Sequence, residues 1–456
     1  MRFEESPQIA PVIFEKQNCD KPFGEIWVMS LDFRDELAKI VRMVAFSMEH
    51  DSFIEEHEMD WETLYCPNRH CHYYGLPFGQ GRLVKNGSSH GQKQALCKAC
   101  GTYVSMKYGT AYLDLHTEPA IFETAVRALA EGNSIRATGR IVEVDKDTVC
   151  EWLDRAAQHC RLVMLYLWRE RHVVECQLDE LWSFVHTKEL NLPFAKLEDE
   201  TYGDAWVWVA FAPVWRLVLA FVIGKRTQSN ADLRLKRLIH VTDDHIPFFT
   251  SDQLSAYRSA LLKAYGIWHQ PPRQGTRGRH PKPRLVPPDE LIYAQVVKVR
   301  AHGRVVEVER KVVFGDPEAL TDLLTTLPTS QTINTSFIER HNLTQRQSNR
   351  RLTRRTNGFS KDLSWFERQL WLSLAYYHLI LPHQSLHQPL PIPQTTRGSG
   401  SERRWQAVSP AMAAGLTDHI WTTAELLSYR VPPHFLDRLP ELARLYPSCD
   451  HAHHGN

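Results

Sequence analysis

The run QLDELWSFVH, residues 177 to 186, sets two carboxylates, Asp179 and Glu180, side by side in the middle of an apolar strand pattern. Burying an ionised carboxylate without a partner is costly, so a fold that accepts this strand must supply something for each acid to hold. Side chains alternate along a strand. Val174, Cys176, Leu178, Glu180, Trp182 and Phe184 therefore share one face, and Glu175, Gln177, Asp179, Leu181 and Ser183 the other. The second face is the more polar, so Asp179 is expected to reach an active site. Glu180 is expected to point the opposite way, toward a partner the sequence does not name.

The surrounding segments narrow the architecture. From residue 172 to about 270, strand-like runs (HVVECQLDELWSFV, AWVWVAFAP, WRLVLAFVIG, HIPFFTSD) surround one helix near 230 to 240, the pattern of a mixed α/β sheet. The apolar stretch 205 to 224 approaches the roughly 20 residues needed to span a bilayer. Pro213 and Arg216 interrupt it, and its Val, Trp and Phe content suits a strand hairpin. The first residues, MRFEESPQIAP, lack the basic-then-apolar order of a secretory signal, so a cytoplasmic protein without a membrane partner is expected. Lys+Arg (54) nearly equals Asp+Glu (53), which leaves the partner unspecified. A length of 456 residues exceeds a single usual core and favours several domains.

Nine cysteines are present, and four cluster in CPNRHC and LCKAC. In a cytosolic chain such clusters favour metal over disulfides. Cys66, Cys71, Cys97 and Cys100 form two short knuckles able to hold Zn²⁺ in a structural ribbon. The first knuckle is wider than usual, and His70 and His72 lie close enough to substitute. After it, FETAVRALAEG, NSIRATGRIVEV and DKDTVCEWLDRAAQH match the rhythm of a helix-turn-helix with a capped last helix. In that motif the last helix enters the major groove, so Lys146, Thr148 and Arg155 would face DNA. Asp147, Glu151 and Asp154 make this helix far from basic, and another three-helix bundle would read similarly.

Two more acids stand out. Asp252 follows an apolar run and precedes a helix in HIPFFTSDQLSAY, and strand ends are where open α/β sheets place ligands. In SFIERHNLTQRQSNRRLTRR, a helical repeat aligns Glu339, Asn342, Arg346 and Arg350 on one stripe. Asp179, Asp252 and Glu339 supply hard oxygen ligands suited to Mg²⁺, and two such ions can activate an attacking hydroxyl and stabilise a leaving oxygen. The arginines beside Glu339 would neutralise a phosphate backbone.

DELWSFV, FTSDQLSAY and SFIERHNLTQR, in this order after CPN…LCKAC and the helical segment, resemble transposases of the insertion-sequence-one family over roughly residues 61 to 380. The resemblance implies a DDE recombinase: a zinc ribbon and a helix-turn-helix ahead of a ribonuclease H-like α/β catalytic core. It implies catalysis by Asp179, Asp252 and Glu339 with two Mg²⁺ ions, Mn²⁺ substituting, and structural Zn²⁺ on the four cysteines. Asn342 and Arg346 match the positions following the family's glutamate. The partners implied are double-stranded DNA, as element ends and target, and further copies of the chain in a homodimer or larger synaptic assembly, associated with the nucleoid.

The domains expected are a helical N-terminal extension (1–58), the ribbon (59–116), the helix-turn-helix (117–165), the catalytic domain (170–385) and a linker with a C-terminal extension (386–456). The gap between Asp252 and Glu339 is longer than in the family's best-known members, which marks an insertion at about 267–315. Its loop carries Arg273, Arg277, Arg279, Lys282 and Arg284, equally readable as a DNA contact or a solvated basic loop. Ribbon and core stand in one chain, whereas the family often divides them between two reading frames. Two other readings remain: a non-catalytic DNA-binding protein derived from a transposase, and a ribonuclease H-like nuclease without strand transfer.

Overall fold

The structure is a computed structural model, and it describes residues 60–89, 91–193, 199, 201–273, 280–396 and 400–446. The chain divides into two compact units, Met1–Glu58 and Met59–Asn456. The helix expected before residue 58 and the loop residues Arg277 and Arg279 lie outside the described residues.

The second unit opens with a three-stranded antiparallel sheet, β1 (Leu83–Ser89), β2 (Gln92–Cys97) and β3 (Tyr103–Ser105). Three helices follow, α1 (Pro119–Ala130), α2 (Ile135–Ile141) and α3 (Lys146–Leu167). Their starts are written in the sequence. Pro119 occupies the first turn of α1, the Ser134 side chain caps α2 by accepting from the Ala137 N–H, and Asp145 caps α3 by accepting from Asp147.

The central sheet has six strands. β4 (Glu175–Val185), β5 (Gly203–Ala212) and β6 (Leu217–Gly224) form an antiparallel meander. The stretch that approached bilayer length is the β5–β6 hairpin, turning at Arg216 with φ +57°, and among the described residues no helix is long and apolar enough to cross a membrane. After α4 (Gln228–Val241), β7 (Phe248–Ser251) runs parallel to β4 on its other side. Helix α5 (Ser255–Tyr265) and a small hairpin, β8 (Ile267–His269) with β9 (Arg284–Val286), lead to β10 (Tyr293–Ala301), which is parallel to β7, and β11 (Arg304–Phe314) closes the edge. The spatial order is β11-β10-β7-β4-β5-β6. The segment expected as an insertion at 267–315 is therefore corrected in part: its hairpin supplies two strands of the central sheet, and only the residues around β8 and β9 stand apart from it.

Helices α6 (Pro317–Thr326), α7 (Ser336–Ser348) and α8 (Leu363–Leu379) follow. Helix α8 is apolar on nearly every side because it is packed from several directions, and one continuous core runs from Phe122 and Trp152 through the sheet to Phe366 and Leu372. The last described residues join that core as well. After an exposed arm of β12 (Gln388–Thr395) and β13 (Glu402–Gln406) come four short helices, α9 (Pro410–Ala413), α10 (Thr423–Ser428), α11 (Pro433–Leu436) and α12 (Leu439–Leu442). They bury Trp421, Leu426, Leu427 and Phe435 against the rest.

Arg430 is the hub of this contact. Its guanidinium donates to the carbonyls of Tyr108 (2.9 Å), Asp60 (2.7 Å) and Met106, and to the Thr63 hydroxyl at 2.6 Å. Arg69 and the Tyr74 hydroxyl reach Asp437 at 2.7 and 3.0 Å. The C-terminal residues thus tie the small sheet to the helices. Arg430→Met should lower stability in urea denaturation by about 2–4 kcal/mol, because it strands several acceptors facing a desolvated cation's place. A change below about 0.5 kcal/mol, the scale of an ordinary surface substitution, would contradict that role.

Candidate metal centres

The four cysteines come together around the small sheet. Sγ of Cys66 and Cys100 are 3.7 Å apart, Sγ of Cys71 and Cys97 3.8 Å, and all four sulfurs lie within 4.8 Å of one another. A tetrahedron with metal–sulfur bonds of about 2.3 Å has edges of roughly 3.8 Å, so this donor set fits a tetrahedral soft-metal site. Gly101, with φ +73°, closes the second knuckle by donating its N–H to the Cys97 carbonyl at 2.8 Å. Hydrogen bonding with Thr102 lowers the Cys100 thiol to about 6, toward the thiolate that ligates, while burial pushes the Cys66 thiol up. The wide first knuckle needs no histidine: Cys71 is in the cluster, while His70 and His72 are exposed outside it.

The second cluster forms where a strand ladder ends. β7 pairs with β4 as far as Ser251 opposite Leu178. The next residue on each strand is an acid, Asp252 and Asp179, so the two are set side by side. Beyond this point β4 pairs only with β5, and the open edge lets the longer Glu180 side chain reach round. Carboxylate oxygens of Asp179, Glu180 and Asp252 lie within 4.8 Å of one another. Strict alternation placed Glu180 away from Asp179, and this is corrected: the backbone directions diverge, but the carboxylates meet. Glu180 finds its counter-charge in Arg226 and a hydrogen bond from the Tyr257 hydroxyl, and its side chain is 2% exposed.

Helix α7 is docked on the same place through Gln177, which shares the face of Asp179. Its Oε1 accepts the Ile338 N–H (3.0 Å), and its Nε2 donates to the Asn334 carbonyl (3.0 Å) and to Glu175 Oε1 (3.2 Å). Glu175, buried and also bonded by Ser330 at 2.6 Å, has its pKa raised by that burial. Docked in this way, α7 places Asn342 so that its Nδ2 donates to Asp179 Oδ2 at 2.7 Å. Asn342 Oδ1 is buried and has no partner. Glu339, one turn earlier, is close enough for its charge to act on Asp179, but its Oε1 is held by Lys298 and by the Thr335 hydroxyl (2.6 Å).

Burial, followed by the charges of Glu180, Asp252 and Glu339, raises the Asp179 carboxyl from 3.8 to about 7, against a hydrogen bond from the Glu180 amide. Asp252 is raised as well, by burial and by Glu180. Crowded acids that resist ionisation, together with an orphaned amide oxygen, are what a hard divalent cation would relieve. The site fits such an ion through Asp179 and Asp252, with Glu180 beside them committed to Arg226 and Tyr257, and Glu339 adjacent.

The expected basic residues are arranged differently. Lys146, exposed at the start of α3, pairs with Asp147 at 2.8 Å, and Thr148 is half-buried. Arg155 turns inward and donates to the carbonyls of Ala111 (3.4 Å) and Leu113, so it is spent on holding the chain before α1. Arg346 also turns inward, to the carbonyls of Trp182 (3.2 Å) and Leu352 (2.5 Å). Because α7 ends at Ser348, Arg350 leaves the expected stripe and is exposed in the turn beyond. Gln177, Arg226, Tyr257 and Lys298 are site residues that motif reading missed. Tyr257 stands within the FTSDQLSAY run, whereas Lys298 lies in a hairpin whose place in the sheet the local pattern does not reveal.

No family model matches the chain, and no curated protein matches it.

Elemental analysis of the purified chain should find one zinc per chain, lost together with thermal stability in Cys71→Ser; full stability without zinc would refute the thiolate site. The raised Asp179 pKa gives a signed pH effect. Its contribution to stability is full below its ordinary value of 3.8 and is lost as pH rises through about 7. In buffer dialysed free of Mg²⁺, Asp179→Asn should therefore melt higher than the parent at pH 8, with the gap narrowing as pH falls and closing near pH 4. A lower melting temperature at pH 8 would contradict the crowding.

Proposed function

We propose that this chain is a DDE-type DNA transposase, which cleaves phosphodiester bonds at the ends of a mobile element and joins the freed ends to target DNA. The observation that carries this reading is the meeting of Asp179 and Asp252 at the end of the β4–β7 ladder, with α7 bonded onto Asp179 through Asn342. The strand order supports it. An antiparallel meander followed by two parallel strands, with an acid on the first strand and another just after the fourth, suits a ribonuclease H-like core.

Asp179 and Asp252 would hold Mg²⁺, with Glu339 completing the set from α7. When bound, such ions activate the attacking oxygen and stabilise the leaving one. The chain's part is positioning. Asn342 fixes the Asp179 carboxylate, Gln177 fixes the start of α7, and Arg226 with Tyr257 balances the Glu180 charge next to the reacting centre. Exposed Arg350 stands ready for phosphate contact at the end of α7. The four-cysteine module would be a structural zinc ribbon, and α1–α3 a helix-turn-helix reading the element's ends through the exposed start of α3. Joining two ends requires at least a pair of chains.

The test uses DNA carrying the ends that flank the gene. The parent should cleave and join it in Mg²⁺, and Asp179→Asn, Asp252→Asn and Glu339→Gln should each lose at least about a hundredfold in rate, roughly 3 kcal/mol of barrier. Parent-like rates in any of the three would overturn that residue's assignment. Cleavage without joining would favour the nuclease reading.

A further inference from the structure

Lys298 has no place in the triad, yet it touches it. β10 pairs with β7 up to Gln295 opposite Ser251, and Lys298 lies three residues beyond, on the part of the strand that overhangs the acids. Its ammonium donates to Glu339 Oε1. The side chains of Lys298 and Glu339 are 33% and 44% exposed, so the pair is open to solvent and exchangeable. Lys298 is also near enough to Asp252 for its charge to favour that carboxylate's ionised form. The other cation acting on Asp252 is Arg226, and it is bound to the buried Glu180. Of these two, only Lys298 can leave without stranding a buried charge.

We propose that Lys298 is a substrate-positioning residue that exchanges partners. In the metal-free protein it is the counter-ion that holds Glu339, and when a divalent cation takes Glu339 the freed ammonium binds a phosphate oxygen of DNA beside Asp252. This inference rests on the metal-binding reading of Asp179 and Asp252. The exchange follows from charge. Lys298 and the Thr335 hydroxyl both occupy Glu339 Oε1, so a cation that takes this oxygen competes with Lys298 for it. A lysine suits this exchange because it is a compact charge on a flexible stem. Once released, it is an unpaired cation at the rim of an anionic site, where the incoming group is itself an anion.

Two measurements without catalysis test it. Mn²⁺ binding, followed by thermal shift in the absence of DNA, should be tighter in Lys298→Met than in the parent by about two- to fivefold, the range that an exposed ion pair is worth. Lys298→Arg should bind as the parent does, and in a Glu339→Gln background the gain from Lys298→Met should be clearly smaller. Unchanged or weaker Mn²⁺ binding in Lys298→Met would overturn the counter-ion role. In the second measurement, duplex DNA binding with Ca²⁺ should be weaker in Lys298→Met than in the parent, whereas without divalent cation the two should bind alike. Equal binding with Ca²⁺ would overturn the handover to phosphate. Asp179→Asn separates the underlying reading: if it leaves Mn²⁺ binding intact, the metal site itself is wrong, whatever Lys298 does.

Discussion

The mutual repulsion of acids at the end of the β4–β7 ladder is the constraint on which the rest of the structure depends. Asp179, Glu180 and Asp252 bring carboxylate oxygens within 4.8 Å of one another in partly buried surroundings, an arrangement that destabilises the ionised forms. What surrounds them answers that repulsion. Arg226 and Tyr257 take Glu180, Asn342 takes Asp179, and Lys298 takes the adjacent Glu339. Each compensating group comes from a different element, so the sheet, α7 and the β10 overhang must be correctly assembled for the acids to be tolerated at all.

That assembly extends to the other parts of the chain. Gly132, in the turn between α1 and α2 with φ +87°, lies so close to the end of α7 that a Cβ there would stand 2.7 Å from the Ser348 carbonyl oxygen. The helices that follow the four-cysteine module therefore rest directly on the helix that carries Glu339 and Asn342. Arg430 in turn ties the small sheet to the C-terminal helices. These contacts make one packed body of the four-cysteine module, the three helices and the sheet that carries the acids.

Much of this was legible in local pattern. The strand runs around residues 172 to 252 and the helix near 230 to 240 correspond to β4–β7 and α4, because short runs rich in Val, Trp and Phe broken by polar segments are a local signal. The four cysteines, and Asp179 with Asp252, were legible because few roles suit those residue types at those places. Other features depend on long-range pairing. β10 became a central strand by pairing in parallel with β7, which no spacing near residue 293 announces. Glu180 joined the cluster because β7 is short, a fact about its neighbour and not about its own strand. Arg155 and Arg346 looked like phosphate contacts, but each donates to backbone carbonyls within the fold.

The central claim is that these acids converge to hold a divalent cation, and crystals soaked in MnCl₂ test it most directly. Anomalous scattering should place manganese between Asp179 and Asp252, at coordination distance from both carboxylates, with Lys298 drawn off Glu339. Manganese bound elsewhere, with Asp179 and Asp252 still bare at saturating concentration, would contradict the account.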